Sequence, residues 1–355
     1  MSSSNYSLEI FYDDNCDSTA SQPIFYPGQT VKGHVQLSIS STTLKLRGLS
    51  LLIKGSASCN YSKDLQAEQE FFAVERKLIE TKLDSIELAA GSYNYDFEYR
   101  LPRNIPYSVD GQYGNVKYFV QASIDIPWDL YDKKVVKPFI VVRYEDLNYM
   151  SGMREPCELL LQKQIDSSAW FFSRSSLGLV TIKANLLKCG FAPGEKVIVD
   201  ASIDNQTSAD IETVSIALYY NENYTAQTPW AKLEEKVSNK ISETIADGVK
   251  AGFTKKIKES VLVPENSKIT SVMYSTVFQI NYHVQITAKF RRVNIPLLIP
   301  IYIGSVALRK EEECENLARV PPLWPPSLNI IEKNGTVKSE INNETTSSEN
   351  VVISE

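Results

Sequence analysis

The side chains best suited to catalysis are scarce in this 355-residue sequence. It contains two histidines, His34 and His283, and neither has a cysteine or carboxylate at a metal-ligand spacing. The motifs G-x-x-x-x-G-K-[ST], G-x-G-x-x-G and G-x-S-x-G, which cradle phosphate or seat a nucleophile, do not occur. Each histidine falls on the polar side of a predicted strand, so exposed strand positions explain both. We therefore expect a protein that is not an enzyme and holds no metal or cofactor.

Basic side chains that could bind phosphate form three groups. They are Lys45 and Arg47, then Lys133, Lys134 and Lys137 beside Trp128, and finally Lys289, Arg291 and Arg292. Arginine and lysine form charge-assisted hydrogen bonds to phosphate, so acidic lipid headgroups and phosphorylated protein tails are candidate ligands. Solvated strand faces are the alternative explanation and the commoner one.

A proline-rich segment near the carboxyl end is a candidate partner-binding site. Its residues are Pro321, Pro322, Leu323, Trp324, Pro325 and Pro326. Such a run favours the polyproline II conformation, which loses little entropy on docking into an aromatic-lined groove, and Trp324 would be the buried anchor. Alternatively, Leu323 and Trp324 pack back onto the preceding domain.

Composition and charge restrict the class of protein. The net charge is −6 and the pI about 5.3, so the cationic excess needed for sequence-independent nucleic-acid binding is missing. The five cysteines are an odd number without a C-x-x-C pair, which predicts reduced, inert thiols in a cytosol. The sequence begins without a signal-peptide pattern. The longest apolar stretch, 295–308, contains two prolines and is shorter than the roughly 20 residues of a spanning helix.

Alternating apolar and polar residues predict β-strands through most of the chain, because successive side chains of a strand point to opposite faces. The clearest segments are 31–39, 93–101, 116–124, 197–203 and 280–288. These strands predict β-sandwich architecture. Segments 65–79 and 233–249 carry a weak helical pattern without convincing caps, and twisted strands or long loops remain open for both.

Four ordered matches at offsets near 160 indicate that the chain repeats itself once. They pair 25–31 with 191–197, 88–91 with 245–248, 101–104 with 263–266, and 116–121 with 280–285. We therefore predict tandem immunoglobulin-like sandwiches at residues 1–164 and 165–308, with one extra strand at Trp170-Phe171-Phe172 in the segment 149–176 between the two halves. Residues 309–355 are acidic and poor in apolar residues, so we predict a disordered tail.

The motifs punctuating both halves resemble the α-arrestin family over roughly residues 6–308. In the first half they are Tyr26-Pro27-Gly28-Gln29-x-Val31-x-Gly33, Leu101-Pro102-x-Asn104-Ile105-Pro106-x-Ser108, Gly111-x-x-Gly114-x-Val116-x-Tyr118 and Asp146-Leu147-Asn148. In the second half they are Gly190-Phe191-Ala192-Pro193-Gly194-Glu195, Ile203-x-Asn205 and Val263-Pro264. The resemblance implies two arrestin-like sandwiches joined by a hinge, with no catalytic centre.

The resemblance also implies an adaptor function in the cytoplasm, peripheral at the plasma membrane or endosomes. Family members bind the cytosolic parts of membrane receptors or transporters and recruit HECT-type ubiquitin ligases through Pro-Pro-x-Tyr motifs, which directs the cargo to endocytosis or endosomal sorting. This sequence has no Pro-Pro-x-Tyr motif; tryptophan stands at Trp324, where tyrosine would sit. The alternative function is a structural coat or scaffold subunit similar to the arrestin-fold subunit of retromer.

Overall fold

The computed structural model of the chain describes residues 5–13, 22–63, 65–81, 84–127, 133–166, 176–227, 230–270 and 274–309. These residues form eighteen β-strands and one 3₁₀ turn, Leu147–Tyr149. The all-β prediction is confirmed. Within these ranges, no helix has the length and apolar character needed to cross a bilayer.

The first sandwich is built from nine strands in two sheets. The strands are β1 (Tyr6–Tyr12), β2 (Ile24–Phe25), β3 (Thr30–Leu46), β4 (Gly48–Asn60), β5 (Gln66–Glu80), β6 (Ile86–Arg100), β7 (Val109–Asp110), β8 (Gly114–Asp125) and β9 (Lys133–Val141). One sheet has the order β1-β3-β6 and the other β2-β9-β8-β4-β5, with β7 also paired to β8. The short β2 runs parallel to the end of β9, and every other pair is antiparallel.

The second sandwich contains the remaining nine strands. They are β10 (Cys157–Asp166), β11 (Ser176–Leu186), β12 (Gly190–Phe191), β13 (Lys196–Thr207), β14 (Ile211–Gln227), β15 (Lys232–Val249), β16 (Thr254–Leu262), β17 (Phe278–Lys289) and β18 (Asn294–Ile303). The sheets have the orders β10-β11-β13-β16 and β12-β18-β17-β14-β15. Here the short β12 runs parallel to the end of β18, as β2 does to β9.

Alternation along the strands places the apolar side chains between the sheets. In β4, every second residue from Leu49 to Cys59 is buried, while the residues between them are partly exposed. The inner residues of β8 and β17 follow the same rule, with Val120 and Val284 both fully enclosed. Each buried valine or leucine stabilises the fold by about 1.5–3 kcal/mol relative to an exposed one.

Both segments with a weak helical pattern are strands. Segment 65–79 lies in β5 from Gln66 onward, paired to β4, and segment 233–249 lies in β15, paired to β14. A spacing of four places residues on one face of a helix and also on one face of a strand, so the spacing alone could not separate the two. A register shift near Ile241 then changes which face β15 presents, and Ile245 is 60% exposed.

Eight strands of the first sandwich have a counterpart in the second. The pairs are β1 with β11, β2 with β12, β3 with β13, β4 with β14, β5 with β15, β6 with β16, β8 with β17, and β9 with β18. Three of the four sequence matches join counterparts. The match of 88–91 with 245–248 is wrong, because it joins β6 to β15, and a four-residue apolar-Ala-x-Gly pattern is too short to specify a strand.

The domain limits at 164/165 stay a prediction. Strand β10 pairs along its whole length with β11, so we propose that the second domain begins ahead of Cys157. The predicted strand at Trp170-Phe171-Phe172 lies outside the described residues, as does the tail beyond Arg309.

Two equivalent turns, Tyr26–Gln29 and Ala192–Glu195, confirm the predicted Pro-Gly turns. The glycine has φ of 87° in the first turn and 88° in the second. In each, the last N–H donates to the first carbonyl, over 3.0 and 3.1 Å. The side chain of the last residue also accepts a hydrogen bond from the first N–H over 2.8 Å. Glycine is required here because an L side chain is strained at this φ.

Replacing either turn glycine by alanine should destabilise the fold. We expect Gly28→Ala and Gly194→Ala each to lower the free energy of unfolding by about 1–2 kcal/mol, because of backbone strain. Urea denaturation measures this. Gly48→Ala is the control, since its added Cβ would lie 3.4 Å from the Ile79 carbonyl, an ordinary contact. A Gly28→Ala protein as stable as the control would contradict the argument.

Candidate functional site

Where the two sandwiches meet, a buried carboxylate collects hydrogen-bond donors from both. Glu222 of β14 is 3% exposed and accepts hydrogen bonds from the Gln112 N–H at 2.7 Å, from the Tyr220 hydroxyl at 2.6 Å and from the Tyr224 hydroxyl. The Lys268 ammonium lies 3.9 Å from Oε1 of Glu222, the oxygen that also accepts from Tyr220. A carboxylate is buried at acceptable cost only when it is paired in this way.

The elements at this contact explain its geometry. Residues 220, 222 and 224 alternate along β14, so their side chains leave one face of the strand together. Gln112 belongs to the turn between β7 and β8 in the first sandwich. Close approach of that turn requires glycine, because a Cβ on Gly111 would lie 2.5 Å from the Phe278 ring. The Tyr113 N–H donates to the Tyr224 hydroxyl at 3.0 Å, which ties the two sandwiches together again.

The phenol groups around Glu222 are held in their protonated form. Burial, and then the hydrogen bond to Glu222, raises the pKa of Tyr220 and of Tyr224 well above the ordinary value of 10. Both hydroxyls therefore remain donors to the carboxylate throughout the physiological range. We call Glu222, Tyr220, Tyr224, Gln112 and Lys268 the Glu222 cluster.

A second contact joins Arg143, just after β9, to Tyr274 of the second sandwich. The Arg143 guanidinium donates to the Tyr274 hydroxyl at 2.9 Å and lies 4.3 Å from the ring centroid. Tyr274 has φ of 71°, a strained conformation for a tyrosine. Gln69 of β5 holds the next segment by accepting from the Thr276 N–H at 2.8 Å. Strain of this kind persists only where the surroundings fix it, so this contact is tightly specified.

The chain between the sandwiches forms a third contact with the end of the second. Asp146 forms a parallel bridge with Val306, and the Asn148 amide donates to the Ala307 carbonyl at 2.9 Å. The Arg309 N–H donates to the Asn148 side chain at 2.9 Å. We call residues 145–156 the connector. Arg309, the last described residue, is therefore hydrogen-bonded to the connector.

These three contacts fix the relative placement of the two sandwiches. Every polar group of the Glu222 cluster that was named above has a partner. Among the residues that the structure describes, no group of three or more His, Cys, Asp and Glu side chains is placed to hold a metal ion.

Most of the predicted phosphate-binding residues lie at the ends of the sandwiches away from these contacts. Strand β8 begins at the interface and ends at Asp125, next to Arg47 and one row from Lys133; β17 likewise ends at Lys289, beside the turn with Arg291 and Arg292. Arg47 and Lys133 therefore lie near each other at this end, Lys137 lies opposite Val120 in the middle of β8, and the third group lies on the other sandwich.

Several of these basic residues already have partners. Lys45 pairs with Glu87 at 2.9 Å, Arg47 with Asp125 at 2.7 Å, and Lys289 lies 3.7 Å from Glu243. Two further lysines contact β1: the Lys137 ammonium donates to the Ile10 carbonyl at 2.8 Å, and Lys133 lies over the Tyr6 ring. Lys134, Arg291 and Arg292 are exposed. The role of these residues stays a prediction, and Pro321–Pro326 lies outside the described residues.

The expectation that both histidines are exposed is wrong for His283. It is 7% exposed, stacks on Tyr219 at 5.0 Å and hydrogen-bonds to the Asn221 amide at 2.8 Å. It follows the polar side of β17, but the side chains of Tyr219 and Asn221 on the neighbouring strand β14 cover it. Burial, and then the charge of Lys236, lowers its pKa to about 4, while a hydrogen bond with Gln285 opposes this.

The buried His283 predicts a loss of stability in weak acid. An unfolded histidine titrates near 6.5, so between that pH and about 4 the unfolded state binds more protons than the folded state. We expect the free energy of unfolding to fall by about 2 kcal/mol from pH 7 to pH 5 on account of this residue. Urea titrations at the two pH values measure it. The variant His283→Asn should lose most of this pH dependence, and an unchanged dependence would contradict the assignment.

Sequence reasoning missed Glu222 entirely. Glu222 continues the apolar face of β14 after Ile216 and Leu218, opposite Ile280 of β17, where a carboxylate is not expected. Its partner Gln112 comes from the other sandwich, which the sequence does not place nearby. The one local signal is the alternation Tyr220-x-Glu222-x-Tyr224, which aligns two donors with an acceptor on one face.

Comparison with known proteins matches both sandwiches. The profile of the arrestin (or S-antigen) N-terminal domain matches residues 15–148, and that of the arrestin C-terminal domain matches residues 176–308. Arrestin domain-containing protein 17 of Caenorhabditis elegans is 26% identical, over 90% of this chain and 81% of its own length. Arrestin domain-containing protein 1 of Mus musculus is 25% identical over 85% and 68%, and arrestin domain-containing protein 5 of Bos taurus is 25% identical over 78% and 87%.

Proposed function

Since this chain belongs to the arrestin domain-containing (α-arrestin) family, we propose that it is a cargo adaptor. In this role the sandwiches bind the cytosolic parts of membrane receptors or transporters. The tail then links that cargo to ubiquitination, endocytic or endosomal sorting machinery. The protein would act in the cytoplasm, peripherally at the plasma membrane or at endosomes.

The observation that carries this proposal is the attachment of Arg309 to the connector. Its N–H is bound by Asn148, its carbonyl accepts from the Arg154 guanidinium at 2.7 Å, and its own guanidinium lies 3.8 Å from Asp146. The acidic tail with its proline segment therefore starts at the junction of the two sandwiches. A recruiting segment tethered there stays within reach of cargo held on either domain, which raises its effective concentration.

Proximity labelling tests the proposal. Three proteins are compared in cells: the full chain, a chain ending at Arg309 so that its contacts with the connector are kept, and the full chain with Trp324→Ala. We expect all three to label membrane cargo. The full chain should also label a HECT-type ubiquitin ligase or endosomal proteins. The truncated chain should not label them, and the Trp324→Ala protein should label them only weakly.

Two outcomes would contradict the adaptor function. If all three proteins label the same neighbours and no ligase or endosomal protein is among them, recruitment through the tail is wrong. If instead the full chain co-purifies in fixed stoichiometry with the same subunits under all conditions, the scaffold function is favoured, as for a coat similar to retromer.

We also propose that the exposed basic residues at the outer ends contact acidic lipid headgroups. Arg291 and Arg292 lie in the turn after β17 and are the best placed of the eight candidates. Flotation with phosphatidylserine vesicles should decrease on Arg291→Ala with Arg292→Ala, and binding should weaken at high salt. Equal flotation of both proteins would show that these arginines do not contact the membrane.

A further inference from the structure

Strand β6 forms an open edge of the first sandwich. Its residues 91–100 pair with β3, and no other strand among those described lies alongside it. The Leu101 N–H donates to the Gln29 carbonyl at 2.8 Å, which fixes the alternation of hydrogen bonds along β6. Successive residues of an antiparallel strand direct their N–H and C=O groups to opposite sides. The residues whose main-chain groups point away from β3, toward the open edge, are therefore Ser92, Asn94, Asp96 and Glu98.

Comparable edges elsewhere in the molecule are covered. The counterpart of β6 in the second sandwich is β16, where the Ser242 hydroxyl of β15 donates to the Leu262 carbonyl at 2.8 Å. At the opposite edge of the β6 sheet, the Lys137 ammonium of β9 donates to the Ile10 carbonyl of β1 at 2.8 Å. Within the described residues, no such bond reaches the main chain of 92–98. Strand β6 also contains no proline and no lysine, which protect many natural edges.

The two faces beside this edge differ in chemistry. Asp96 and Glu98 lie on the outer face and are exposed, and Glu98 forms an exposed ion pair with Lys32 at 3.2 Å. Tyr93 and Tyr95 lie on the inner face, packed against the core and half-buried. A strand added to this edge would place its outward side chains beside carboxylates and its inward side chains beside aromatic rings.

We propose that the β6 edge binds a basic, extended juxtamembrane segment of the membrane cargo as an added strand. This inference rests on the adaptor function proposed above and names the part of the cargo that is bound. Cytosolic segments next to membrane spans are enriched in lysine and arginine. Main-chain hydrogen bonds supply the affinity, and alternating side chains supply the specificity. The matching segment alternates basic residues, beside Asp96 and Glu98, with apolar residues beside Tyr93 and Tyr95.

Charge disfavours two other occupants of this edge. Two copies of the chain joined through β6 would bring Asp96 and Glu98 of one copy close to the same carboxylates of the other. Like charges that face each other across two strands are destabilising. The acidic segment 310–355 of this chain is opposed for the same reason. A basic partner strand is therefore favoured over both.

Peptide binding to the full chain tests the proposal. The probe is fluorescein-labelled Lys-Val-Lys-Val-Lys-Val-Lys, measured by fluorescence anisotropy. Replacing its lysines by glutamates should weaken binding about tenfold or more. Two further probes carry N-methyl groups, one on the lysines and the other on the valines. Each removes the N–H donors from one edge of the peptide, so one of them should bind about tenfold more weakly and the other should bind as the parent probe does.

Two charge reversals on the same sheet face locate the binding edge. Asp96→Lys places a cation beside the lysines of the probe and should weaken binding about tenfold. Glu9→Lys is the matched control, because Glu9 is exposed on the same face at the opposite edge, in β1. It should bind the probe as the unchanged chain does. A second variant, Asn94→Pro, removes one outward N–H without removing a bond to β3 and should also weaken binding. Urea denaturation establishes that each variant is folded.

Three results would disprove strand addition at β6. They are undiminished binding by Asp96→Lys, equal affinity of the two N-methylated probes, and weaker binding by Glu9→Lys alone. Proximity labelling in cells separates this proposal from the adaptor function. If Asp96→Lys labels the same membrane cargo as the unchanged chain, cargo is not held at this edge, and the adaptor function stands. If neither protein labels membrane cargo, the adaptor function is wrong even where the peptide binds.

Discussion

Truncating the buried carboxylate in Glu222→Ala should lower the free energy of unfolding by about 3 kcal/mol. The change leaves the Gln112 N–H and the hydroxyls of Tyr220 and Tyr224 without their acceptor at a buried position, and unsatisfied buried donors cost about 1–3 kcal/mol each before relaxation. Because these donors come from both sandwiches, small-angle scattering should also show a wider range of domain placements. Urea denaturation and scattering profiles measure the two effects.

Two variants separate the role of Glu222 from a general effect of charge. Glu212→Gln changes an exposed carboxylate on the same strand, β14, and should shift stability by less than about 0.5 kcal/mol. Glu222→Gln keeps the shape but supplies only one acceptor oxygen, so an intermediate loss is expected. If Glu222→Ala is as mild as Glu212→Gln, the Glu222 cluster does not hold the sandwiches together.

Adding one methyl group in Gly111→Ala should separate the sandwiches by steric conflict. The new Cβ would lie 2.5 Å from Cζ of Phe278, 2.8 Å from its Cε2 and 3.0 Å from the Tyr224 hydroxyl. Phe278 cannot rotate away easily, because it stacks on Tyr224 at 5.3 Å within the buried interface. Overpacking of this kind costs about 1–3 kcal/mol. Denaturation of the full chain measures it.

A second substitution checks the origin of that loss. Phe278→Leu shortens the side chain that the methyl group would strike. If the conflict is the cause, the double variant Gly111→Ala with Phe278→Leu should be more stable than the sum of the two single changes predicts. If the stability losses of the two single changes add strictly, the loss in Gly111→Ala does not come from a clash with Phe278.

The sequence predicted correctly the features that depend on residues close together along the chain. Period-two alternation revealed the strands, and the Pro-Gly turns at Gly28 and Gly194 were correctly expected because one residue type satisfies their φ. Burial of Glu222 depends on a turn that approaches from the other sandwich, and burial of His283 depends on side chains of the neighbouring strand β14. A polar residue on an outer strand face, such as His283, looks the same in sequence whether water or neighbouring side chains cover it.

The strands β9 and β18 each leave most of one edge uncovered by a described strand, since β2 and β12 pair only with their final residues. Open edges invite stacking of like molecules into ordered aggregates. Proline stands within both strands, as Pro138 in β9 and as Pro296 and Pro300 in β18. Lacking an N–H, these residues interrupt the hydrogen-bonding row that a neighbouring copy would need. Both sandwiches therefore have prolines in the corresponding open-edge strand, where they oppose edge-to-edge pairing with another copy.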